Sequence, residues 1–114
     1  LRLLAYETQK IVGEGDDVTC SVSIELDGEA RQIEGQGNGP INAFVNALEN
    51  ENLKDFKLTD YRQHSIGGGS ATESAAFVQL QTKAGRVAYG CGIDPRIEKS
   101  GIMALVSAFN RTRS

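Results

Sequence analysis

Val18, Cys20, Val22, Ile24 and Leu26 alternate with Thr19, Ser21, Ser23 and Glu25. A period of two with one polar face predicts a half-buried antiparallel strand over Val18–Leu26. A first strand is predicted over residues 3–10, set apart by the polar, glycine-rich break at residues 12–17. Asp27-Gly28 follows the alternating run, and this dipeptide predicts a tight hairpin because both residues tolerate positive φ. Residues 29–35 are then the return strand. Past residues 37–40 the period changes. Ile41, Phe44, Val45 and Leu48 fall at i, i+3, i+4 and i+7, one stripe of a helix. Asn38 or Gly39 can cap it, and Pro40 suits its first turn, where a missing N–H costs nothing.

The second half runs in the same order. Residues 56–65 read as a strand, residues 67–70 as a glycine-rich break, and residues 75–83 as an alternating strand that includes Phe77 and Leu80. Ala84-Gly85 is the turn, and residues 86–93 the return strand. Pro95 opens a longer helix whose core-facing candidates are Ile97, Gly101, Ala104, Leu105 and Ala108. Arg111 and Arg113 suit the negative end of its dipole.

The two halves can be superposed as an internal repeat. Leu4, Gln9, Gly13 and Gly15 match Leu58, Gln63, Gly67 and Gly69 at a shift of 54. Gly35, Gly37 and Pro40 match Gly90, Gly92 and Pro95 at a shift of 55. Residues 43–48 match residues 104–109 at a shift of 61, so the second helix carries about six extra residues at its start. The pattern predicts an α+β fold of two βββα units, antiparallel sheets with helices on one face, with the repeat dividing near residues 52 and 53. One such unit buries little on its own, so pairing is expected.

Composition narrows the functions available. Twelve Lys+Arg against fifteen Asp+Glu give a net charge of −3, unlike a polyanion binder, which needs clustered cations. No apolar run approaches the ~20 residues of a membrane helix. The chain begins at Leu1 and shows no signal-peptide pattern, which suggests a fragment of a larger chain, one domain over residues 1–114. Cys20 and Cys91 lie far apart, with no CxxC spacing, and read as two reduced thiols of a cytoplasmic protein. No metal site is expected, since His64 stands alone and no Cys/His cluster accompanies it. Catalysis by His64 would need a nucleophile elbow that is absent. Cys91 reads as a small buried hydrophobe more readily than as a reactive thiol. The segment Gly35-Gln36-Gly37-Asn38-Gly39-Pro40 lacks the Lys-Ser/Thr ending of a phosphate loop. It offers backbone donors beside a helix N-terminus, suited to one carboxylate, or else is a tight connection that simply needs glycine.

Three blocks carry a family likeness: Gly35-Gln36-Gly37-Asn38-Gly39-Pro40 with the helix to Leu48, Asp60-Tyr61, and Gly90-Cys91-Gly92-Ile93-Asp94-Pro95 with Ala104 to Arg111. Together they resemble the C-terminal regulatory domain of 2-isopropylmalate synthase, a group that includes the citramalate synthases. The resemblance covers essentially the whole chain. It implies a homodimer that binds leucine as feedback inhibitor, with no cofactor and no catalysis in this part. It also implies an upstream barrel, not included in this sequence, that condenses acetyl-CoA with 2-oxoisovalerate on a divalent metal. By position it implies an effector site of Gly37, Asn38, Gly39, Pro40 and Ile41, with Leu58, Tyr61 and Ser65 on the next strand. Thr72, Ser74, Ile93 and Pro95 complete it. Ser65, Thr72 and Ser74 stand where relatives often carry alanine, a more polar lining. The alternatives are an isoleucine-sensing citramalate relative, a purely structural dimerisation domain, or a different sensor such as an ACT-like module, whose βαββαβ order the strand-first repeat does not match.

Overall fold

A computed structural model of the chain describes residues 1–11, 17–67 and 72–113. The expected break at residues 12–17 and the glycine run after Gly67 lie largely outside the described residues, as do Gly13, Gly15 and Gly69 of the repeat. The elements run β1 (Arg2–Lys10), β2 (Val18–Leu26), β3 (Glu29–Gly37), α1 (Pro40–Asn50), β4 (Phe56–Ile66), β5 (Glu73–Thr82), β6 (Val87–Asp94) and α2 (Ile97–Thr112). They form two antiparallel sheets, ordered β1-β2-β3 and β4-β5-β6, each followed by its helix. The fold is the expected α+β pair of βββα units, in two compact parts, Leu1–Lys54 and Asp55–Ser114.

In the first unit Asp27 and Gly28 take φ of 53° and 82°, as the hairpin between β2 and β3 demands. Cys20, Val22, Ile24 and Leu26 are buried on one face of β2, with Ile33 of β3 alongside. The helix sits on this face at short range. A Cβ at Gly35 would lie 2.3 Å from the Ala47 backbone nitrogen and 2.4 Å from the Ala43 carbonyl, and one at Gly37 2.7 Å from the Ala43 nitrogen. Glycine is therefore required on β3 by helix-to-strand approach.

The second unit repeats this contact. A Cβ at Gly90 would meet the Ala104 carbonyl at 2.2 Å and the Ala108 nitrogen at 2.4 Å, and one at Gly92 the Ser100 carbonyl at 2.3 Å. Ala43 and Ala47 over Gly35 thus correspond to Ala104 and Ala108 over Gly90, which sustains the shifts of 55 and 61. The six extra residues divide between two elements. β6 continues two residues beyond Gly92, and α2 begins four residues before Gly101, the counterpart of Pro40. Pro95 consequently lies ahead of the helix and not within it. Ile97, expected in the core, is 64% exposed; close backbone packing of α2 on the sheet is seen at Ser100, over Gly92, while Ile97 offers the sheet only its carbonyl. Phe56 and Phe109 close the other end with an edge-to-face contact, centroids 6.1 Å apart.

The first-strand match needs correction. Gln9 pairs with Thr19 on the outer face of its sheet, whereas Gln63 pairs with Ala76 on the helix face. The strands carry bulges at different points, between Leu3 and Ala5 in one and between Leu58 and Asp60 in the other. Through the cross-strand register Gln9 is equivalent to Arg62, a shift of 53. Cys91 is also corrected. Gly90 and Gly92 turn inward beneath α2, so Cys91 between them faces outward and is exposed, while Cys20 is buried.

Candidate functional site

The residues expected to bind an effector fall into one group in each unit. In the first, Gly37 ends β3, Gly39 is the N-cap residue of α1, and Pro40 occupies its first position. No side chain caps this helix. The Asn38 Oδ1 instead accepts from Asn42 Nδ2 at 2.7 Å. The earliest intrahelical bond runs from the Ala43 N–H to the Gly39 carbonyl at 2.9 Å. The N–H groups of Ile41 and Asn42 precede it, at the positive end of the helix dipole, without a side-chain acceptor. Gly39 has φ of 166°, extended backbone open to any residue, and a Cβ there meets nothing within 4 Å. Its glycine is dictated neither by conformation nor by packing within the chain. Gly37 and Gly39 therefore differ in kind: one seats the helix, the other leaves the helix end open.

In the second unit Leu58, Tyr61 and Ser65 lie on the helix face of β4, paired with Leu80, Val78 and Ser74. As β4 is an edge strand, Leu58 and Tyr61 remain half-buried and Ser65 exposed. Partial burial pushes the Tyr61 hydroxyl pKa up from its ordinary value, since the ionised form loses hydration. Ser74 is buried and accepts a hydrogen bond from the Ser100 Oγ at 3.2 Å. Gln63 Nε2 donates to the Ile97 carbonyl at 2.7 Å and to Ser100 Oγ at 3.1 Å. Ser74 thus belongs to a polar cluster that pins the first turn of α2 to the sheet. Thr72 is exposed ahead of β5. Ile93 stands opposite Ala75, on the outer face and 49% exposed, across the sheet from Leu58 and Tyr61. Pro95 is exposed in the connection to α2.

That connection is organised by Asp94. Its Oδ1 accepts from the Arg96 backbone N–H at 2.9 Å and from Arg96 Nε at 3.0 Å, and Lys99 Nζ lies 3.9 Å from Oδ2. The hydrogen bonds from Arg96 hold the Asp94 carboxyl below the ordinary carboxylate range. Neither helix has a side-chain cap, but the two strand-to-helix connections are chemically distinct: only the second holds a carboxylate, Asp94, bonded to Arg96 just ahead of the helix.

Three hollows on the first unit lie away from the expected effector residues. One is lined by Glu7, Gln9, Thr19, Ser21 and Glu34 on the outer sheet face, another by Gln36, Asn46 and Asn50 beside β3. Among the described residues no group of three or more His, Cys, Asp or Glu is placed to hold a metal. No helix among them is long and apolar enough to cross a membrane.

Sequence reading missed a pair of edge contacts. Asn46 and Asn50, one turn apart on α1, donate to the carbonyls of Gln36 at 2.6 Å and Glu34 at 3.0 Å on the free edge of β3. In the second unit Arg111 Nη1 donates to the Tyr89 carbonyl at 2.7 Å on β6. Arg111 is the counterpart of Asn50 at the shift of 61, and Tyr89 that of Glu34 at 55. The i, i+4 spacing of Asn46 and Asn50 along the helix flank is the signal that could have shown it.

Comparison with known proteins agrees with this architecture. The family model of the LeuA allosteric (dimerisation) domain matches residues 2–113. A 2-isopropylmalate synthase of Parafrankia sp. is 40% identical over 97% of this chain and 19% of its own length. That of Corynebacterium efficiens is 36% identical over 95% of this chain and 18% of its own, and that of Thermobifida fusca 35% over 97% and 19%. The chain spans about a fifth of the length of these relatives. With a matching model across nearly every residue, a doubled βββα fold and the strand-to-helix glycine connection in both halves, this chain belongs to the LeuA allosteric (dimerisation) domain family.

Proposed function

We propose that this chain is the regulatory part of a 2-isopropylmalate synthase and binds leucine as a feedback inhibitor, in a homodimeric cytoplasmic enzyme. The observation that carries the reading is the uncapped start of α1, with the Ile41 and Asn42 N–H groups at the end of a helix preceded by Gly37-Asn38-Gly39-Pro40. A free amino acid needs donors for its carboxylate, an acceptor for its ammonium and an apolar wall. In the first unit the two N–H groups serve the carboxylate, and Ile41 supplies apolar surface. The second unit holds the other expected residues, with Leu58 and Tyr61 half-buried on the helix face of β4. Ser74 acts as a support, because its hydroxyl is engaged by Ser100. Ile93, on the opposite sheet face, has the weakest claim.

Inhibition requires that leucine bind one state of the parent enzyme better than another. The chemistry itself, acyl transfer from acetyl-CoA to 2-oxoisovalerate with a divalent metal, would belong to the remaining four-fifths of the relatives' length.

Isothermal titration of the chain with leucine, isoleucine and valine tests the reading. Leucine is expected to bind most tightly, and no heat with any of the three would refute it. Tighter isoleucine binding would instead place the chain with the citramalate branch. Gly39→Asp sharpens the test. A Cβ there is unobstructed, and aspartate is a favoured N-cap whose carboxylate accepts the N–H groups assigned to the ligand. The variant is expected to fold with equal or greater stability and to lose leucine binding. Undiminished affinity would remove the α1 terminus from the site.

A further inference from the structure

A three-stranded antiparallel sheet with a helix on one face normally turns polar side chains to water on the other. The first unit does so. Thr19, Ser21, Ser23, Gln32, Glu34 and Gln36 lie on its outer face. The second unit does not. Across the register, Thr19 is replaced by Phe77, Gln36 by Cys91, Glu34 by Tyr89 and Gln32 by Val87. Phe77 stands directly opposite Cys91, with Tyr89 and Ile93 on either side of Cys91 along β6. Phe77 is 46%, Val87 42%, Tyr89 60% and Ile93 49% exposed. One chain therefore carries the same face twice, polar in one copy and apolar in the other.

We infer that the outer face of the β4-β5-β6 sheet is a contact surface for a second copy of this chain. Three strands over eight residues span roughly 400 Å² in projection. Protruding side chains raise this toward the ~600 Å² per partner of a small specific interface, and an apolar patch rimmed by charged residues, as here, marks interaction sites. Charge favours self-pairing here and opposes it on the other unit. The β4-β5-β6 face carries Lys57 and Arg62 against Asp60 and Glu73, a net charge of zero, and Arg62 Nε already lies 3.1 Å from Asp60 Oδ2. The β1-β2-β3 face carries Glu7, Glu25 and Glu34 against Arg2 alone, so two copies brought together would repel. Facing sheets pack about 10 Å apart and interdigitate, an arrangement that Phe77 and Tyr89 suit. The inference rests on the family's self-association and is independent of leucine.

Sedimentation equilibrium of the chain tests it. The unsubstituted chain is expected to dimerise. Phe77→Lys should weaken the dimer at least 100-fold, while Thr19→Lys, at the equivalent position of the other unit, should leave it unchanged. Tyr89→Lys is the second variant if Phe77→Lys fails to fold by circular dichroism. Cys91 reports independently. Its maleimide labelling should slow about tenfold as the chain self-associates, and should not slow in Phe77→Lys. A monomeric chain, a dimer indifferent to both lysine substitutions, or a Cys91 that labels equally at all concentrations would overturn the inference. Failure of leucine to bind an unsubstituted chain that still dimerises through Phe77 would leave this face in place and sink only the effector reading.

Discussion

Replacing Gly35 with alanine adds one methyl group, and the geometry says where it goes. Its Cβ would lie 2.3 Å from the Ala47 nitrogen, 2.4 Å from the Ala43 carbonyl and 2.8 Å from the Ala47 Cα. Ordinary contact needs more than 3.4 Å. The obstacle is helix backbone on every side, so no rotamer change can relieve it. Helix α1 must lift by about 1 Å, loosening the burial of Ala43, Ala47, Phe44 and Leu48 against the sheet. Overpacking of this kind costs about 1–3 kcal/mol, occasionally more, and three backbone contacts below 3.0 Å place this case at the upper end. The lower backbone entropy of alanine in a strand offsets about 0.5–1 kcal/mol. A net loss of about 2–3 kcal/mol, with a urea slope of about 1–3 kcal/mol/M, lowers the midpoint by roughly 0.7–3 M. Equilibrium urea unfolding by circular dichroism reads this directly. Gly39→Ala is the control, expected within about 0.5 kcal/mol of the parent chain because its Cβ meets nothing. A Gly35→Ala midpoint within 0.2 M of the unsubstituted chain, on the order of the error of such measurements, would mean that α1 does not rest on β3 as described.

Two further outcomes follow from the connections and edges. Asp94 has its pKa lowered in the folded state, so its contribution is full above the unfolded carboxylate value of about 4 and is lost as pH falls through the lower folded value. Thermal melts of Asp94→Asn should therefore show reduced stability at pH 7, a difference that shrinks as pH falls below the ordinary carboxylate range. A constant difference across that range would refute the role given to Arg96. The double variant Asn46→Ala, Asn50→Ala removes two side-chain bonds from the edge of β3. Light scattering of concentrated solutions should show more aggregation than the parent chain, and unchanged scattering would deny the pair any protective part.

Period two wrote β2 plainly, because one face is apolar and the other carries Thr, Ser and Glu. The Asp27-Gly28 hairpin and the α1 stripe were equally legible. What escaped was long-range. A bulge shifts register by one residue without a compositional mark, so Gln9 and Gln63 matched in letters and lie on opposite faces. The exposure of Cys91 followed from helix approach over Gly90 and Gly92, which a local reading of small residues cannot distinguish from a buried strand. Among the effector candidates, the α1 terminus was readable because capping is a local matter. The engagement of Ser74 by Ser100 depends on residues 26 positions apart and was not. The same limit placed Ile93 beside Leu58 in expectation, when alternation around the two inward glycines turns it away.

The side chains on the outer margins of β3 and β6 bear on how far such a molecule can grow. A sheet that is stoppered along one border can accept new strands only at the other. Three side chains, Asn46, Asn50 and Arg111, thus occupy the borders of β3 and β6 and confine any added strand to the borders of β1 and β4, which halves the places where fibre growth could start.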